Sequence, residues 1–242
     1  MIVLFTDFGT TGPYMGQMRA RIQDLASKEQ IIDLMVDAPA FNVSASAKLL
    51  AGLVKPMPKE AIYVCVVDPG VGSDRRALCI KTQYGWFVGP DNGLFEYIIR
   101  NDSSSMVYEI IWRPDELSSS FHGRDLFGPV AAMLASQQEF EKNLIDKDTL
   151  VELDDKDEPG QVIYIDCYGN CWTDIDATTL SKSDLIIYNG IEISFSRVFS
   201  DTAVGTLFWY VNSSGFVEIA KNQGHGAQQL NIALGSRFTI KK

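Results

Sequence analysis

Basic residues, histidines and cysteines are all scarce in this sequence of 242 residues. Lysine and arginine number 21 against 31 aspartates and glutamates, which gives a formal net charge of −10. Such a chain lacks the basic face that a phosphate backbone requires, so we expect no nucleic-acid partner. Only 2 histidines accompany the 4 cysteines, none of which stand in a Cys-x-x-Cys pair. We therefore expect no metal site, and reduced thiols in a cytoplasmic protein.

Long hydrophobic runs are also missing. The apolar stretch at 1–5 has no basic residues before it and stops at Thr6 and Asp7, so we expect a buried strand there and neither a signal peptide nor a membrane span. With 46% hydrophobic and 21% charged residues, the composition is that of a globular protein and excludes disordered and collagenous classes. The length corresponds to one or two domains.

The first part of the chain alternates apolar runs with amphipathic helical patterns. Apolar runs over 2–5, 31–36 and 61–67 are separated by helical patterns over 14–25 and 43–54, and Pro13 and Asn42 are typical of helix starts. Further strand-like stretches at 77–80, 86–88 and 106–111 precede the end of another helix at 131–137. This order predicts an α/β N-terminal domain over residues 1–153, with a mostly parallel central sheet flanked by helices.

Strand-type residues dominate after an acidic interruption at 154–160, which we interpret as a linker. Asn189 and Gly190 separate two apolar runs, and they form the strongest short signal of a β-hairpin because both residues tolerate positive φ. A second hairpin is predicted around residues 212–215. Residues 161–242 are therefore expected to form a smaller, all-β domain that is antiparallel and barrel-like.

Polar residues that directly follow apolar runs are the first candidates for a site, because ligands of parallel sheets sit at the carboxyl ends of the strands. Asp7 follows the first run, where it could accept hydrogen bonds from the hydroxyls of a ribose or merely cap the next helix. The glycines beside it form neither a dinucleotide-binding motif nor a P-loop.

Two further segments of the N-terminal domain carry candidate residues. Asp68 leaves a buried strand and a glycine loop leads from it to Arg75, so the two side chains could form either a functional pair or a structural salt bridge. His122 lies among small polar residues at 118–125. A histidine there could accept a proton near neutral pH or be an ordinary loop residue.

The C-terminal domain offers one such segment, in which Asp166, Asn170 and Trp172 follow a strand. Amides bind base edges and aromatic rings stack on bases, so these residues suit a purine site, although a solvated turn beside a core tryptophan would explain them equally well. His225 lies between two glycines with no evident partner and is not a candidate.

Five motifs, taken together and in order, resemble one family, the S-adenosylmethionine (SAM) hydrolases. These enzymes are also called SAM hydroxide adenosyltransferases and are related to the fluorinase and chlorinase. The resemblance spans nearly the whole chain. The motifs are Thr-Asp-Phe-Gly at 6–9, Val-Asp-Pro-Gly-Val-Gly-Ser at 67–73, Pro-Asp-Asn-Gly at 90–93, Phe-His-Gly-Arg-Asp at 121–125 and Tyr-Gly-Asn-x-x-Thr at 168–173.

The resemblance implies attack of a water or hydroxide on the ribose C5′ of SAM, which displaces methionine and leaves adenosine. Because the sulfonium is already a good leaving group, this reaction requires an aligned oxygen nucleophile and the exclusion of bulk water, with no metal, no cofactor and no covalent intermediate. The residues that would hold this water are Asp68, Arg75 and His122.

The same resemblance implies roles in substrate binding for six other residues. Asp7 would bind the ribose hydroxyls, and Asp166 and Ser213 would hold the ammonium and carboxylate of the methionine part. Asn170 would recognise the adenine edge, with Phe199 or Trp172 packing on the rings. The resemblance also implies a homotrimer whose site lies at a subunit interface, with no membrane partner.

Two other functions fit parts of the pattern. A 5′-halogenase is disfavoured, because the halogenases use small hydroxyl residues where this chain has Asp68 and His122, and a carboxylate would repel a halide. A sensor that binds SAM or adenosine without turnover would need no residues that position water beside C5′.

Overall fold

The chain divides into two compact units, residues 1–154 and 155–242. The computed structural model describes residues 1–154 and 159–242. The predicted end of the first domain, at residue 153, falls one residue before this division. Of the predicted acidic linker, residues 155–158 lie outside the described residues.

Seven strands and four α-helices form the first unit. The strands are β1 (Ile2–Thr6), β2 (Ile31–Met35), β3 (Ala61–Val66), β4 (Ala77–Thr82), β5 (Gly85–Pro90), β6 (Met106–Ile110) and β7 (Lys142–Leu144). The helices are α1 (Tyr14–Leu25), α2 (Val43–Leu53), α3 (Glu96–Arg100) and α4 (Gly128–Ala135). The strands form one sheet in the order β2-β1-β3-β5-β4-β6-β7.

This sheet is mixed, and the mostly parallel sheet predicted from the sequence is not confirmed. β2, β1, β3 and β5 pair in parallel, whereas β4 pairs antiparallel with β5 and with β6, and β6 pairs antiparallel with β7. The physical reason lies in the connection from β4 to β5, which consists of Gln83 and Tyr84 alone. A parallel pair needs a crossover of a dozen or more residues, so a two-residue loop requires an antiparallel hairpin.

Local sequence signals account for the first two helices. Asn42 caps α2 by accepting a hydrogen bond from the backbone N–H of Ala45 at 3.0 Å, and Pro13 directly precedes α1. Every residue of β1 and β3 is buried, as expected for strands covered on both faces. The core on one face joins these strands to Met18 and Ile22 of α1 and to residues of α4. The ends of β1 and β3 are therefore held rigidly beside each other.

In its described residues, 159–242, the second unit contains seven strands and one short α-helix. The strands are β8 (Val162–Ile165), β9 (Cys171–Asp176), β10 (Leu185–Tyr188), β11 (Ile191–Phe195), β12 (Leu207–Val211), β13 (Phe216–Lys221) and β14 (Thr239–Lys241), and the helix is α5 (Gly226–Leu230). Five of the six strand pairings are antiparallel, and β11 with β12 is parallel. Both predicted hairpins are present, the first with positive φ at Asn189 and Gly190.

The two edges of this second sheet meet through backbone hydrogen bonds. The sheet order is β14-β10-β11-β12-β13-β9-β8, so β14 and β8 are its edge strands. Val162 N–H donates to the carbonyl of Ser236 at 2.8 Å, and Phe238 N–H donates to the carbonyl of Gly160 at 2.7 Å. These bonds curl the sheet into the expected barrel-like form. Among the described residues, none of the helices combines the length and apolarity needed to cross a bilayer.

Candidate active site

Asp7 and Asp68 lie at the carboxyl ends of two neighbouring parallel strands. Asp7 directly follows β1, and Asp68 comes two residues after β3. Because the two strands pair in parallel, their ends lie side by side, and the charge of Asp68 contributes to raising the pKa of Asp7. The topology thus brings together two acids that are 61 residues apart in the sequence.

Asp68 and Arg75 form a buried, two-pronged ion pair. The Arg75 Nε donates to Asp68 Oδ1 at 2.9 Å and to Oδ2 at 2.8 Å, and Arg75 Nη2 also donates to Oδ2. The side chains of Asp68 and Arg75 are 3% and 9% exposed, respectively. The guanidinium carbon also lies 5.3 Å from the centre of the Phe127 ring. A planar cation held at both edges cannot rotate freely, so its remaining donors point in a fixed direction.

His122 continues this chain of hydrogen bonds. Its Nδ1 lies 3.0 Å from Arg75 Nη2. Because a guanidinium N–H can only donate, Nδ1 accepts this bond, and the ring proton of the neutral imidazole resides on Nε2. Burial lowers the pKa of His122, and the neighbouring Arg75 cation lowers it further. His122 is therefore neutral near pH 7 and presents an N–H donor on its far side.

The segment that follows His122 departs from regular α-helical geometry. Residues Gly123–Phe127 form a π-helical turn that leads into α4, and such turns are frequent at functional sites. Phe121 packs edge-on against Phe8 and Tyr14, with ring centres 5.6 and 5.5 Å apart. These aromatic contacts connect the His122 segment to the loop after β1 and to the first residue of α1.

A glycine allows the two loops of the Asp68–Arg75–His122 group to approach each other. Gly72 has a φ of +83°, and a Cβ placed on it would lie 2.3 Å from the backbone carbonyl oxygen of Ser119. No side chain fits in this space. The loop that joins Asp68 to Arg75 can therefore pack against the segment before His122 only because residue 72 has no side chain.

Asp7 does not cap α1. That helix begins after Pro13 and has no side-chain cap, whereas Asp7 Oδ2 accepts a hydrogen bond from the backbone N–H of Phe41 at 3.1 Å. Burial is the main cause that raises the pKa of Asp7, and the bond from Phe41 opposes it. Phe41 itself has a φ of +60° and is 77% exposed. A half-buried carboxylate thus lies beside an exposed aromatic residue held in an uncommon backbone conformation.

A cavity of about 800 Å³ occupies one face of the second unit. Its lining includes all the residues that the resemblance assigns to the C-terminal domain, namely Asp166, Asn170, Trp172, Phe199 and Ser213. These residues come from separate stretches of the chain, and the fold of the second unit brings them to one place. The volume lies within the range that is usual for small-molecule sites.

The Asp166 carboxylate organises the loop that precedes β9. Asp166 Oδ1 accepts from the backbone N–H groups of Tyr168 and Asn170, each at 2.9 Å, and Oδ2 accepts from Asn170 Nδ2 at 3.0 Å. These bonds orient the Asn170 amide so that its oxygen points away from Asp166. Both side chains are thereby fixed before any ligand arrives.

The two aromatic candidates differ in how much of their surface is free. Trp172 packs against Tyr164 and Phe216, with ring centres 5.6 and 5.5 Å away. Phe199 packs edge-on against Phe208 and Tyr210 and remains 36% exposed. Phe199 therefore offers the freer ring to a bound ligand.

Sequence reasoning missed several other residues that line this cavity, among them Tyr210, Glu218 and His225. The sequence shows no evident partner for His225, but the structure gives it one. Its Nδ1 accepts from the backbone N–H of Gln228 at 3.1 Å, and its ring lies against Gly169. One feature of the sequence marks Glu218: it is the single acid within the otherwise apolar start of β13. Its hydrogen-bond partners, however, lie outside that strand.

Comparisons with known proteins place both units in one family. The family model of the SAM hydroxide adenosyltransferase N-terminal domain matches residues 2–143, and that of the C-terminal domain matches residues 160–239. The chain belongs to the SAM hydroxide adenosyltransferase family. The first match contains Asp7, Asp68, Arg75 and His122, and the second contains the predicted residues of the cavity.

Individual members of the family support this assignment. The chain is 32% identical to the (R)-S-adenosyl-L-methionine hydrolase of Methanocaldococcus jannaschii, over 96% of this chain and 92% of that protein. It is 22% identical to the fluorinase of Nocardia brasiliensis, over 100% of this chain and 96% of that protein. A crystal structure of an uncharacterized conserved protein from Thermotoga maritima superimposes with a TM-score of 0.91 at 28% identity, covering 100% of both chains.

Proposed function

We propose that the protein hydrolyses S-adenosyl-L-methionine to adenosine and L-methionine. The observation that carries this proposal is the buried chain of hydrogen bonds from Asp68 through Arg75 to His122. In the reaction, the oxygen of water forms a bond to the ribose C5′ while the C5′–S bond breaks. The bonding electron pair leaves with the sulfur as methionine, and the water loses one proton to the medium.

The three residues of this chain of bonds act by positioning and by charge. Asp68 fixes the Arg75 guanidinium. Among the residues that the structure describes, its Nη1 donates only to the carbonyl of Arg76, at the long distance of 3.5 Å. Nη1 is the donor best placed to hold the attacking oxygen, and the cation favours its hydroxide form. His122 donates a second hydrogen bond through Nε2. The step needs no cofactor and no metal.

Six residues bind the substrate in this proposal. Asp7 accepts hydrogen bonds from the ribose hydroxyls, Asn170 recognises the adenine edge, and Phe199 or Trp172 packs on the rings. Asp166 and Ser213 hold the methionine part. Three features support these roles: the position of Asp7 at the carboxyl end of β1, the fixed orientation of the Asn170 amide and the partly exposed ring of Phe199.

We further propose that the protein is a cytoplasmic homotrimer, with its site at the interface between subunits. The resemblance to the family supports this assembly, and the low pI of about 4.7 fits a protein that takes a cationic small molecule and no nucleic acid.

Identification of the reaction products tests the proposed function. Purified protein is incubated with SAM in chloride buffer, and every nucleoside is identified by liquid chromatography and mass spectrometry. Adenosine with equimolar methionine is the expected result. A yield of 5′-chloroadenosine would assign the protein to the halogenases, and unchanged substrate with measurable binding would make it a sensor.

The substitution His122→Ala is expected to lower kcat about 10²- to 10⁴-fold, the usual contribution of a side chain that handles a proton or its hydrogen bond. The affinity for substrate should change little, because His122 contacts the water and not the methionine or the adenine. Single-turnover kinetics and binding titrations separate the two quantities. Equal activity of the variant and the wild type would remove His122 from the mechanism.

Activity is expected to persist below the ordinary His pKa of 6.5 and to fall only on further acidification. Burial and Arg75 lower the pKa of His122, so the neutral imidazole survives to a lower pH than it would in water. Protonation would turn Nδ1 into a donor facing the Arg75 donor and break their bond. The pH profile of kcat and an NMR titration of the two imidazoles check this, with His225→Asn used for assignment. A His122 titration at or above 6.5 would contradict it.

A further inference from the structure

The cavity of the second unit contains a buried acid to which the proposed mechanism gives no role. Glu218 lies on β13, lines the cavity and is 2% exposed. Glutamates are rarely buried to this extent unless a cation compensates their charge. Its presence in the otherwise apolar start of β13 therefore needs a reason.

The protein partners of Glu218 are neutral. Its Oε1 accepts from the Tyr210 hydroxyl at 2.6 Å, and its Oε2 accepts from Asn212 Nδ2 at 2.8 Å. Among the described residues, no lysine or arginine forms an ion pair with it. Burial raises the pKa of Glu218, and the negative charge of Asp166 raises it further, while the two hydrogen bonds oppose the change. The Glu218 carboxyl group is thus held by two neutral hydrogen-bond donors, with no protein cation paired to it among the described residues.

A second carboxylate faces the same cavity. Asp166 lies close enough to Glu218 to repel it, and the hydrogen bonds that Asp166 accepts come from two backbone N–H groups and an amide. Lys221 also lines the cavity, but in the part of the chain that the structure describes it forms no ion pair with either acid. Two like charges in one cavity oppose each other, and a bound cation removes this penalty.

The surroundings of Glu218 indicate which cation fits. Asn212 Nδ2 donates to Glu218, while Asn212 Oδ1 accepts from the backbone N–H groups of Ser214 and Phe216. Glu218 is thereby connected to the turn that carries Ser213, the residue proposed to hold a carboxylate. An amino acid bears its ammonium and its carboxylate on the same carbon, so the groups that receive them must be neighbours.

We propose that Glu218, together with Asp166, binds the α-ammonium group of the amino-acid part of the substrate and makes this cavity selective for it. The inference rests on the proposed function for the identity of the substrate. Its test uses binding alone, so the two can fail separately.

The test compares two uncleaved probes in wild type and Glu218→Gln by isothermal titration calorimetry. S-adenosylhomocysteine carries the amino-acid part, whereas 5′-methylthioadenosine has the same nucleoside and sulfur but no amino acid. Glu218→Gln removes the proposed charged hydrogen bond to the ammonium group of the ligand. Binding of S-adenosylhomocysteine is therefore expected to weaken about 10- to 100-fold. Binding of 5′-methylthioadenosine should stay within a factor of about two.

Glutamine is a suitable replacement because its amide preserves both existing contacts. Its oxygen can accept from Asn212, and its NH₂ group can donate to the Tyr210 oxygen. The matched control is Glu192→Gln, which makes the same change at a 52% exposed side chain of the same unit that pairs with Lys241. This control should bind both probes as the wild type does.

Three outcomes would overturn the inference. Glu218→Gln could weaken the binding of both probes equally, which would make Glu218 a structural residue, or it could weaken the binding of neither. The wild type could also bind both probes with equal affinity.

The proposed function can fail while the role of Glu218 stands. In that case the wild type prefers S-adenosylhomocysteine and Glu218→Gln loses this preference, but the protein releases no adenosine from SAM.

Discussion

Replacing Arg75 with lysine is expected to lower kcat about 10²- to 10³-fold while leaving the protein folded. Lysine keeps the positive charge, so the buried Asp68 stays neutralised. An ammonium is a point charge without a rigid fork. Lysine therefore cannot reproduce the two-pronged contact with Asp68, the bond to His122 Nδ1 and the Nη1 donor at the same time. The attacking oxygen would lose its fixed donor.

The affinity for substrate should change far less than kcat, since the role proposed for Arg75 is to hold the water and not the substrate. Arg19→Lys is the matched control, because Arg19 pairs with Asp33 and its side chain is 44% exposed in the same unit. Adenosine formation under saturating SAM measures the effect. Wild-type kcat in Arg75→Lys would reduce the Asp68–Arg75 pair to a structural salt bridge.

The substitution Gly72→Ala is expected to lower kcat about 10²-fold and to destabilise the first unit by about 1–3 kcal/mol. The new Cβ would lie 2.3 Å from the Ser119 carbonyl oxygen, which is backbone and cannot rotate away. One of the two loops must therefore move. Since these loops carry Arg75 and His122, a shift of about 1 Å would separate them.

Gly205→Ala provides the control for the backbone conformation alone. Gly205 has a φ of +86°, close to that of Gly72, but a Cβ placed on it would meet no atom within 4 Å. The substitution should cost about 1 kcal/mol in thermal or chemical unfolding and leave kcat unchanged. If Gly72→Ala behaves in the same way as Gly205→Ala, the close approach of the two loops is not needed for activity.

Local signals in the sequence predicted the local structure well. Asn42 caps α2 as expected, and the turn at Asn189 and Gly190 forms the hairpin between β10 and β11. Strand direction was predicted less well, because apolar runs look alike whichever way they pair. The two-residue loop between β4 and β5 contained the missing information, which hydrophobic periodicity alone does not reveal.

The proximity of the candidate residues could be predicted where these residues lie in contiguous motifs. Asp68, Arg75 and His122 each stand in a recognisable segment, and they meet in the structure. Glu218 and His225 were missed because their contacts depend on cross-strand register and on the packing of α5 against the Asp166 loop. Such contacts join residues that no shared motif connects, so they leave almost no local pattern.

The barrel-like closure of the second sheet has a consequence for self-association. An open sheet edge offers unpaired N–H and C=O groups to which another chain can add a strand, and this is a common route to aggregation. In the second unit the bonds from Val162 to Ser236 and from Phe238 to Gly160 occupy part of this edge. The first sheet ends instead in β2 and in β7, a strand of three residues that begins with Lys142. A short strand with a lysine is a poor template, so β2 is the edge at which unwanted strand addition would begin.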